Sequence, residues 1–396
     1  MRTKRPISIN NSLSHGICNY NCELCGVNKA TYCGPREFQP EAVTRALIGK
    51  VQEAARHGLR IRYIANAGDG EPTLHPDFAA RMNLFGQMIR EWDIKEYPAP
   101  EVSVVTNGYR LLEPGVLDAF VRNTLTLIIS LPTRNPEAYG QLMVGKSDRG
   151  AMLLSKVIPG IREALRLRAK GDIRKIQFHI SPPKRDVVRR DFGDTVHFLA
   201  REAGSAGVDA VELILFPATS NRAGLIRNKI RGCDMYHDLF KQYNGKIIHG
   251  VKVSMRLSYK RFFPRLTEFV DLIRAFDYPC TWNSQLFITA AGDSICCNDQ
   301  AVRNPMGNVL VQSLVQLMET KESYLPGRVC AGCDQSPARM TGSPMVRVLA
   351  AAARLRLRWA TLACGWHAWR GRGVPGTPAF KTVVLSGSSI QGRRGA

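Results

Sequence analysis

Three cysteines fall close together near the start of the chain, in Cys18-Asn-Tyr-Asn-Cys22-Glu-Leu-Cys25. Thiolates at such spacings converge on a metal centre. A [4Fe–4S] cluster normally takes four cysteine ligands, so a set of three leaves one iron without a protein ligand. An open coordination position is what separates catalytic from structural metal sites. A zinc knuckle, or three unrelated thiols, are the other readings of this segment taken alone.

A second chemistry-bearing stretch is Ala67-Gly68-Asp69-Gly70-Glu71-Pro72-Thr73-Leu74. Glycines let backbone approach a ligand closely, and Glu71 ahead of Pro72 offers an acceptor on a stiffened turn. An ordinary Gly/Pro turn with a capping acid has the same composition. Thr106-Asn107-Gly108 and Ser130 carry weaker signals, since turn chemistry explains Asn-Gly equally well. His179 alternates with apolar neighbours and reads as a hydrogen-bonded core histidine or a catalytic one.

The elements that must position these residues alternate. Candidate strands cover 7–14, 61–67, 102–106, 125–131, 175–181 and 210–216, with helical patterns at 40–57, 77–91, 114–122, 151–169 and 193–203. Alternation of this kind predicts βαβ units and a parallel sheet. Six units suit a partial (β/α)6 TIM-like barrel, in which chemistry sits at the C-terminal ends of the strands. Cys18 follows the first strand, Gly68 to Glu71 the second and Asn107 the third, and Ser130 ends the fourth.

With these residues in place, the chain resembles the radical S-adenosylmethionine (SAM) enzymes. The C-x3-C-x2-C motif after the first strand and the Gly-Glu-Pro stretch after the second carry the resemblance. It implies that Cys18, Cys22 and Cys25 hold a [4Fe–4S] cluster whose open iron binds SAM. It further implies reductive cleavage to a 5′-deoxyadenosyl radical that abstracts a substrate hydrogen. Gly68, Gly70, Glu71 and Pro72, with Asn107 and Ser130, fall where relatives hold SAM. The chain departs from the family at Leu24, where an aromatic residue is common.

After residue 250 the pattern changes. Residues 285–296 read as two short strands around an Ala-Gly-Asp turn, and the segment from Gly307 to Met318 leads into a helix. This region resembles the C-terminal twitch module, the short form of the SPASM domain. That resemblance implies a second, auxiliary [4Fe–4S] cluster on Cys280, Cys297 (preceded by Gly292), Cys330 and Cys333. Cys296 competes with Cys297 as ligand, and a structural zinc site is the alternative use of four cysteines. Of the remaining thiols, Cys233 is the candidate hydrogen-atom donor, as in radical epimerases of similar architecture. The domains expected are a radical SAM barrel over 1–250, the auxiliary module over 251–340 and a basic helix and tail over 341–396.

Composition bounds the rest. A chain of 396 residues with 44% hydrophobic content can bury a large core. The start is basic but leads into polar Asn10-Asn11-Ser12 rather than a signal-peptide core, and apolar runs are too short to span a bilayer. A cytoplasmic, reducing location is expected. Net charge is +22, of which residues 341–396 carry eight Arg, one Lys and no acid. In that tail Arg347, Arg354 and Arg358 share a helix face with Trp359, Trp366 and Trp369 nearby. Weak contact with a membrane surface, or packing on the barrel, would use it. A zinc-dependent RNA-binding protein would need stacking platforms or a known RNA module, and neither pattern occurs, so no nucleic-acid partner is expected. The first cysteine stands at residue 18, which argues against a preceding peptide-recognition domain. Expected partners are a small-molecule or separately delivered peptide substrate and an electron donor such as flavodoxin or ferredoxin. Oxidation with the second cluster as electron acceptor leads, and epimerisation is the neighbouring reaction.

Overall fold

The structure is a computed structural model and describes residues 6–22, 25, 34–68, 70–180, 185–215, 233–257, 285–295 and 305–324. Its frame is one sheet of eleven strands. The six expected strands appear as β1 (Ile7–Asn11), β4 (Ile61–Asn66), β5 (Glu101–Thr106), β6 (Thr126–Ser130), β7 (Lys175–Ile180) and β8 (Ala210–Leu215). Each pairs in parallel with the next. In β6 the run Thr-Leu-Ile-Ile is buried at every position, as a strand covered on both faces requires. Two short strands, β2 (Ser14–His15) and β3 (Glu37–Phe38), pair apart from this sheet and bracket the cysteine segment.

Helices α1 (Glu41–Arg56), α2 (Phe78–Arg90), α3 (Val116–Asn123), α5 (Gly150–Ala169) and α6 (Arg185–Ser205) fill the expected connections. Val43, Leu47, Val51 and Ala54 line the buried face of α1 at helical spacing. Helix α4 (Pro136–Val144) is an addition to the expected order. Its signals are local: Asn135 caps the Ala138 N–H at 3.1 Å, Pro136 stands in the first turn and Gly145 ends it in the left-handed conformation.

The parallel sheet also runs past residue 250, where the sequence pattern had placed the change of module. After α7 (Cys233–Tyr243), β9 (Ile247–Ile248) turns through His249 and Gly250, both at positive φ, into β10 (Val251–Leu257). β10 pairs in parallel with β8. At the other edge, β11 (Gln285–Ile288) pairs in parallel with β1. The expected hairpin follows as β12 (Asp293–Ile295), then β13 (Pro305–Asn308) and α8 (Leu314–Tyr324). Lys321 of α8 is fully buried, with its ammonium on the Gln285 carbonyl and 5.7 Å from the Phe287 ring centre.

The sheet is curled. Tyr63 on β4 is held above the ordinary phenol range by burial, and the charge of Arg256 on β10 acts against that rise. A flat sheet would separate these residues by five strand spacings, roughly 24 Å, well beyond the ~10 Å over which charges act in salt solution. Curling brings β10 round toward β4, so the sheet has a concave face.

Gln39 fastens the mouth of this frame. Its amide donates to Asn11 Oδ1 at 2.8 Å, to the Ser12 carbonyl at 3.4 Å and to the Thr289 carbonyl at 3.5 Å. Its own Oε1 accepts from Thr44 Oγ1 at 2.8 Å. Removing that side chain strands buried partners on β1, α1 and the hairpin. Gln39→Ala is expected to lower stability by about 2 kcal/mol, read as a lower urea midpoint at unchanged slope. A change below ~0.5 kcal/mol would show that the hub carries no weight.

Candidate active site

Because β11, β1, β4, β5, β6, β7, β8 and β10 all run the same way, their C-terminal ends share one edge. The segments singled out by sequence converge there. The chain leaves β1 at Asn11, whose amide donates to Asn66 Oδ1 at the end of β4, 2.9 Å away. The Ala67 N–H then donates to the Asn11 carbonyl at 3.0 Å. The cysteine segment and the glycine segment therefore start from adjoining, hydrogen-bonded strand ends.

Within the cysteine segment, Cys18 and Cys22 are half-buried and Cys25 is exposed. Burial pushes the Cys22 thiol well up, and the charges of Cys25 and Cys18 add to the rise. The three sulfurs thus lie within electrostatic reach of one another. The Tyr20 N–H donates to Cys18 Sγ at 3.3 Å, and the Cys25 N–H to the Cys22 carbonyl at 3.1 Å. N–H···S bonds of this type tune iron–sulfur centres. Thiols that repel one another as thiolates suit a cation placed between them, which deprotonates them outright. Three thiols are the donor type that an iron–sulfur cluster takes, although among the described residues no three ligating groups already close on one metal position.

Gly70 packs directly on this loop. A Cβ there would stand 1.6 Å from the Ser14 carbonyl oxygen and 2.6 Å from that of Ile17, so only glycine fits. The next N–H, of Glu71, donates to the Ile17 carbonyl at 2.8 Å. The Glu71 side chain turns inward. Its Oε1 accepts from the Thr73 N–H (3.1 Å), Thr73 Oγ1 (2.6 Å) and Thr106 Oγ1 (2.7 Å). Its Oε2 accepts from the Asn107 N–H at 2.8 Å. Burial raises the carboxyl above its usual range, and these bonds oppose the rise. Glu71 is thus a positioning residue that caps the turn at Pro72–Leu74 and ties β4 to β5.

Asn107 is also spent on position. Its amide donates to Asn19 Oδ1 at 2.7 Å, and its Oδ1 accepts from the Tyr109 N–H at 3.0 Å. Asn19 lies between Cys18 and Cys22, so the end of β5 holds the cysteine loop. Gly68 has φ +129°, and a Cβ there would meet Ser12 at 3.5 Å and Asn10 Oδ1 at 3.6 Å. Ser12 Oγ is buried without a partner among the described residues and lines a small cavity with Asn10, His15, Gly68 and Thr289. Pro72 is buried. Ser130 is half-buried at the end of β6, in register with His179. His179 stands on the sheet face opposite the helix-covered core and is partly buried there. Cys233 opens α7. Cys280, Cys296, Cys297, Cys330, Cys333 and the 341–396 tail lie outside the described residues.

Two groups at the site had no signal in the sequence. Tyr20 sits edge-on to Tyr109 and Tyr139, at ring separations of 6.0 and 6.4 Å, beneath the cysteine loop. Met143, at the end of α4, accepts the Asn21 N–H on its carbonyl at 2.9 Å, and its sulfur lies 3.7 Å from Cys22 Sγ. The contacts of Tyr20 with Tyr139 and of Cys22 with Met143 join residues over a hundred positions apart, which local pattern does not encode.

Comparison with known proteins agrees with this geometry. Residues 13–180 match the radical SAM superfamily. A probable GTP 3′,8-cyclase of Methanosarcina acetivorans is 30% identical over 148 residues, 37% of this chain and 39% of that protein. The chain thus spans about two fifths of that relative's length. Among solved structures, native anSMEcpe with bound AdoMet superposes with a TM-score of 0.52 at 13% identity, covering 92% of this chain and all of that one. SuiB of Streptococcus suis, bound to S-adenosylmethionine, superposes with a TM-score of 0.51 at 14% identity, covering 84% of this chain and 69% of that one. These likenesses are of fold.

Two outcomes follow from the site's interior. Glu71→Gln places an amide N–H₂ or forces a donor against the Asn107 N–H or the threonine donors, and is expected to cost ~1–3 kcal/mol, measured by denaturant unfolding. Burial, then the charge of Arg256, holds His179 down at about 4. A histidine depressed on folding contributes stability that is complete above ~6.5 and is lost as pH falls from there toward 4. His179→Gln should flatten the stability profile in that window, and an unaltered profile would assign the acid lability elsewhere.

Proposed function

We propose that this chain, whose residues 13–180 belong to the radical SAM superfamily, oxidises a small molecule or peptide by hydrogen abstraction, with a second cluster as the electron acceptor. Cys18, Cys22 and Cys25 hold the catalytic cluster in this reading. When bound, that cluster and SAM supply a 5′-deoxyadenosyl radical that takes one hydrogen atom from the substrate. The chain's own part is to hold and enclose. Gly68 and Gly70 bring backbone close to SAM, Pro72 stiffens the turn behind them, and Ser130 offers a hydroxyl from the opposite strand end. Glu71 and Asn107 act one step back, by fixing the loops that make those contacts.

The observation that carries the reading is the three-way tie at the mouth. Gly70 and Glu71 pack on the Ser14–Ile17 backbone, and Asn107 holds Asn19. A zinc knuckle needs no such junction with two further strand ends. Oxidation is favoured over redox-neutral rearrangement by the expected second cluster on Cys280, Cys297, Cys330 and Cys333, since a closed four-thiolate site can take up an electron. Epimerisation with Cys233 as hydrogen donor is the neighbouring alternative.

Anaerobic reconstitution tests the whole reading. Reduced protein mixed with SAM is expected to form 5′-deoxyadenosine, and a Cys18→Ala, Cys22→Ala, Cys25→Ala triple variant to form none. Iron near eight per chain in the wild type, falling to about four in that variant, supports two clusters. Stoichiometric zinc without iron, or no 5′-deoxyadenosine with any substrate pool, would sink the proposal. Solvent deuterium in a product of unchanged oxidation level would replace oxidation by epimerisation.

A further inference from the structure

Side chains alternate across the parallel strands. Ile176, Phe178 and Ile180 of β7, Val211, Leu213 and Leu215 of β8, and Val251, Val253 and Met255 of β10 all enter the core beneath the helices. Their neighbours, Lys175, Gln177 and His179, Glu212 and Ile214, and Lys252, Ser254 and Arg256, must face the other way, Lys252 at the end of the strand away from the rim. That face is polar and charged. Such a lining is costly unless its groups are paired or meet a ligand.

The acids of this face already have partners. Lys175 Nζ lies 3.0 Å from Glu101 Oε1 and 4.0 Å from Glu212 Oε2. Glu101 accepts a further bond from Thr126 at 2.9 Å, and Glu212 one from Gln177 at 2.7 Å. Burial alone would raise Glu101, but the bonds from Lys175 and Thr126, with the charges of Lys175 and Arg256, bring it below its usual range. Lys175 is thus consumed by two carboxylates.

Arg256 is different. It is exposed, and it makes no ion pair with any described carboxylate. Its register partner is Ile214, whose partner on the far side is His179, which pairs in turn with Ser130. Arg256 therefore stands three strand spacings from the end of β6, roughly 14 Å along the sheet. Alternation with core-facing Val253 and Met255 puts its side chain on the concave face, and its charge acts on His179, Glu101 and Tyr63 of three other strands.

We propose that Arg256 anchors a negatively charged oxyanion group of the substrate, a carboxylate or a phosphate, inside the concave face of the sheet. The proposal rests on the radical SAM reading above, which makes this concavity the substrate chamber. A guanidinium offers a planar fork of donors that grips either oxyanion with two parallel bonds. The anchor fixes one end of the substrate near the rim, level with Ser130, and leaves the other free to reach the cysteine loop. Neutral His179 lies beside the path and can hydrogen-bond without competing for the anion.

The test separates the anchor from its premise. Cluster-loaded protein is treated with phenylglyoxal, which modifies accessible guanidinium groups, and labelling is mapped by mass spectrometry. Inorganic phosphate and acetate are the two probes, with exposed Arg60 and Arg62 as internal controls. Either probe is expected to slow labelling of Arg256 saturably, about tenfold at ten times its dissociation constant, while the controls label at constant rates. Whichever probe protects names the phosphate or the carboxylate as the group. Calorimetric titration of the protecting probe should give saturable heat that Arg256→Gln removes. Equal slowing at all three arginines, or protection by SAM alone, would overturn the anchor. Formation of 5′-deoxyadenosine by the same preparation reads the premise independently.

Discussion

A carboxylate without access to water holds the mouth of this protein together. Glu71 lies at the end of β4, and an unpaired charge there would cost several kcal/mol. The fold meets that cost with four donors, two from Thr73, one from Thr106 and one from the Asn107 backbone. Because these donors come from two segments, satisfying Glu71 fixes the end of β5 against the turn after β4. Asn107 is then committed to Asn19, and through it the cysteine loop takes its place. One buried charge thus sets the positions of three loops that are far apart in sequence.

That junction works only because the strands run in parallel and the sheet curls. Parallel pairing sends every chemistry-bearing segment to one edge. Curling turns that edge into a rim and the inward face into a chamber whose lining alternates with the helix-covered core. The chamber's lining is balanced by pairing low down, at Lys175 with Glu101 and Glu212, and leaves a cation nearer the rim at Arg256. Arrangement of charge, rather than net charge, distinguishes the upper chamber from the lower.

Much of this was legible in the sequence, and the reasons are physical. The six strands and five of the helices announce themselves through alternation and apolar runs, and the three cysteines through spacing that metal chemistry needs. The strand Val251–Leu257 alternates just as clearly, with Val, Val, Met and Leu separated by Lys, Ser and Arg. It was passed over because the change in composition near residue 250 suggested a module boundary. Glu71 was read as an acceptor at the turn, but its partners on β5 could not be named from local pattern. The same holds for Tyr20 with Tyr139 and for Cys22 with Met143, since nothing local encodes a contact across more than a hundred residues. His179 has apolar neighbours, Phe178 and Ile180, which alternation sends to the face opposite its own. In a curled sheet the face opposite the helix-covered core is concave, so alternation alone does not say which of its polar residues are enclosed.

The hairpin at the far edge changes how the C-terminal region relates to the site. β11 is hydrogen-bonded along β1, the strand that leads into the cysteine loop, and the Ser12 N–H donates to the Ile288 carbonyl at 2.9 Å. Gln39 adds a bond to Thr289, and buried Lys321 clamps α8 onto the same strand. The hairpin is therefore a continuation of the parallel sheet and not a body on a linker. A flexible tether lets the separation between two centres fluctuate, whereas a shared ladder holds it within the stiffness of the sheet. The distance of the hairpin from the cysteine loop is set by the β1–β11 register, and that register is fixed by the same strand ends that Gln39 and Asn11 bind.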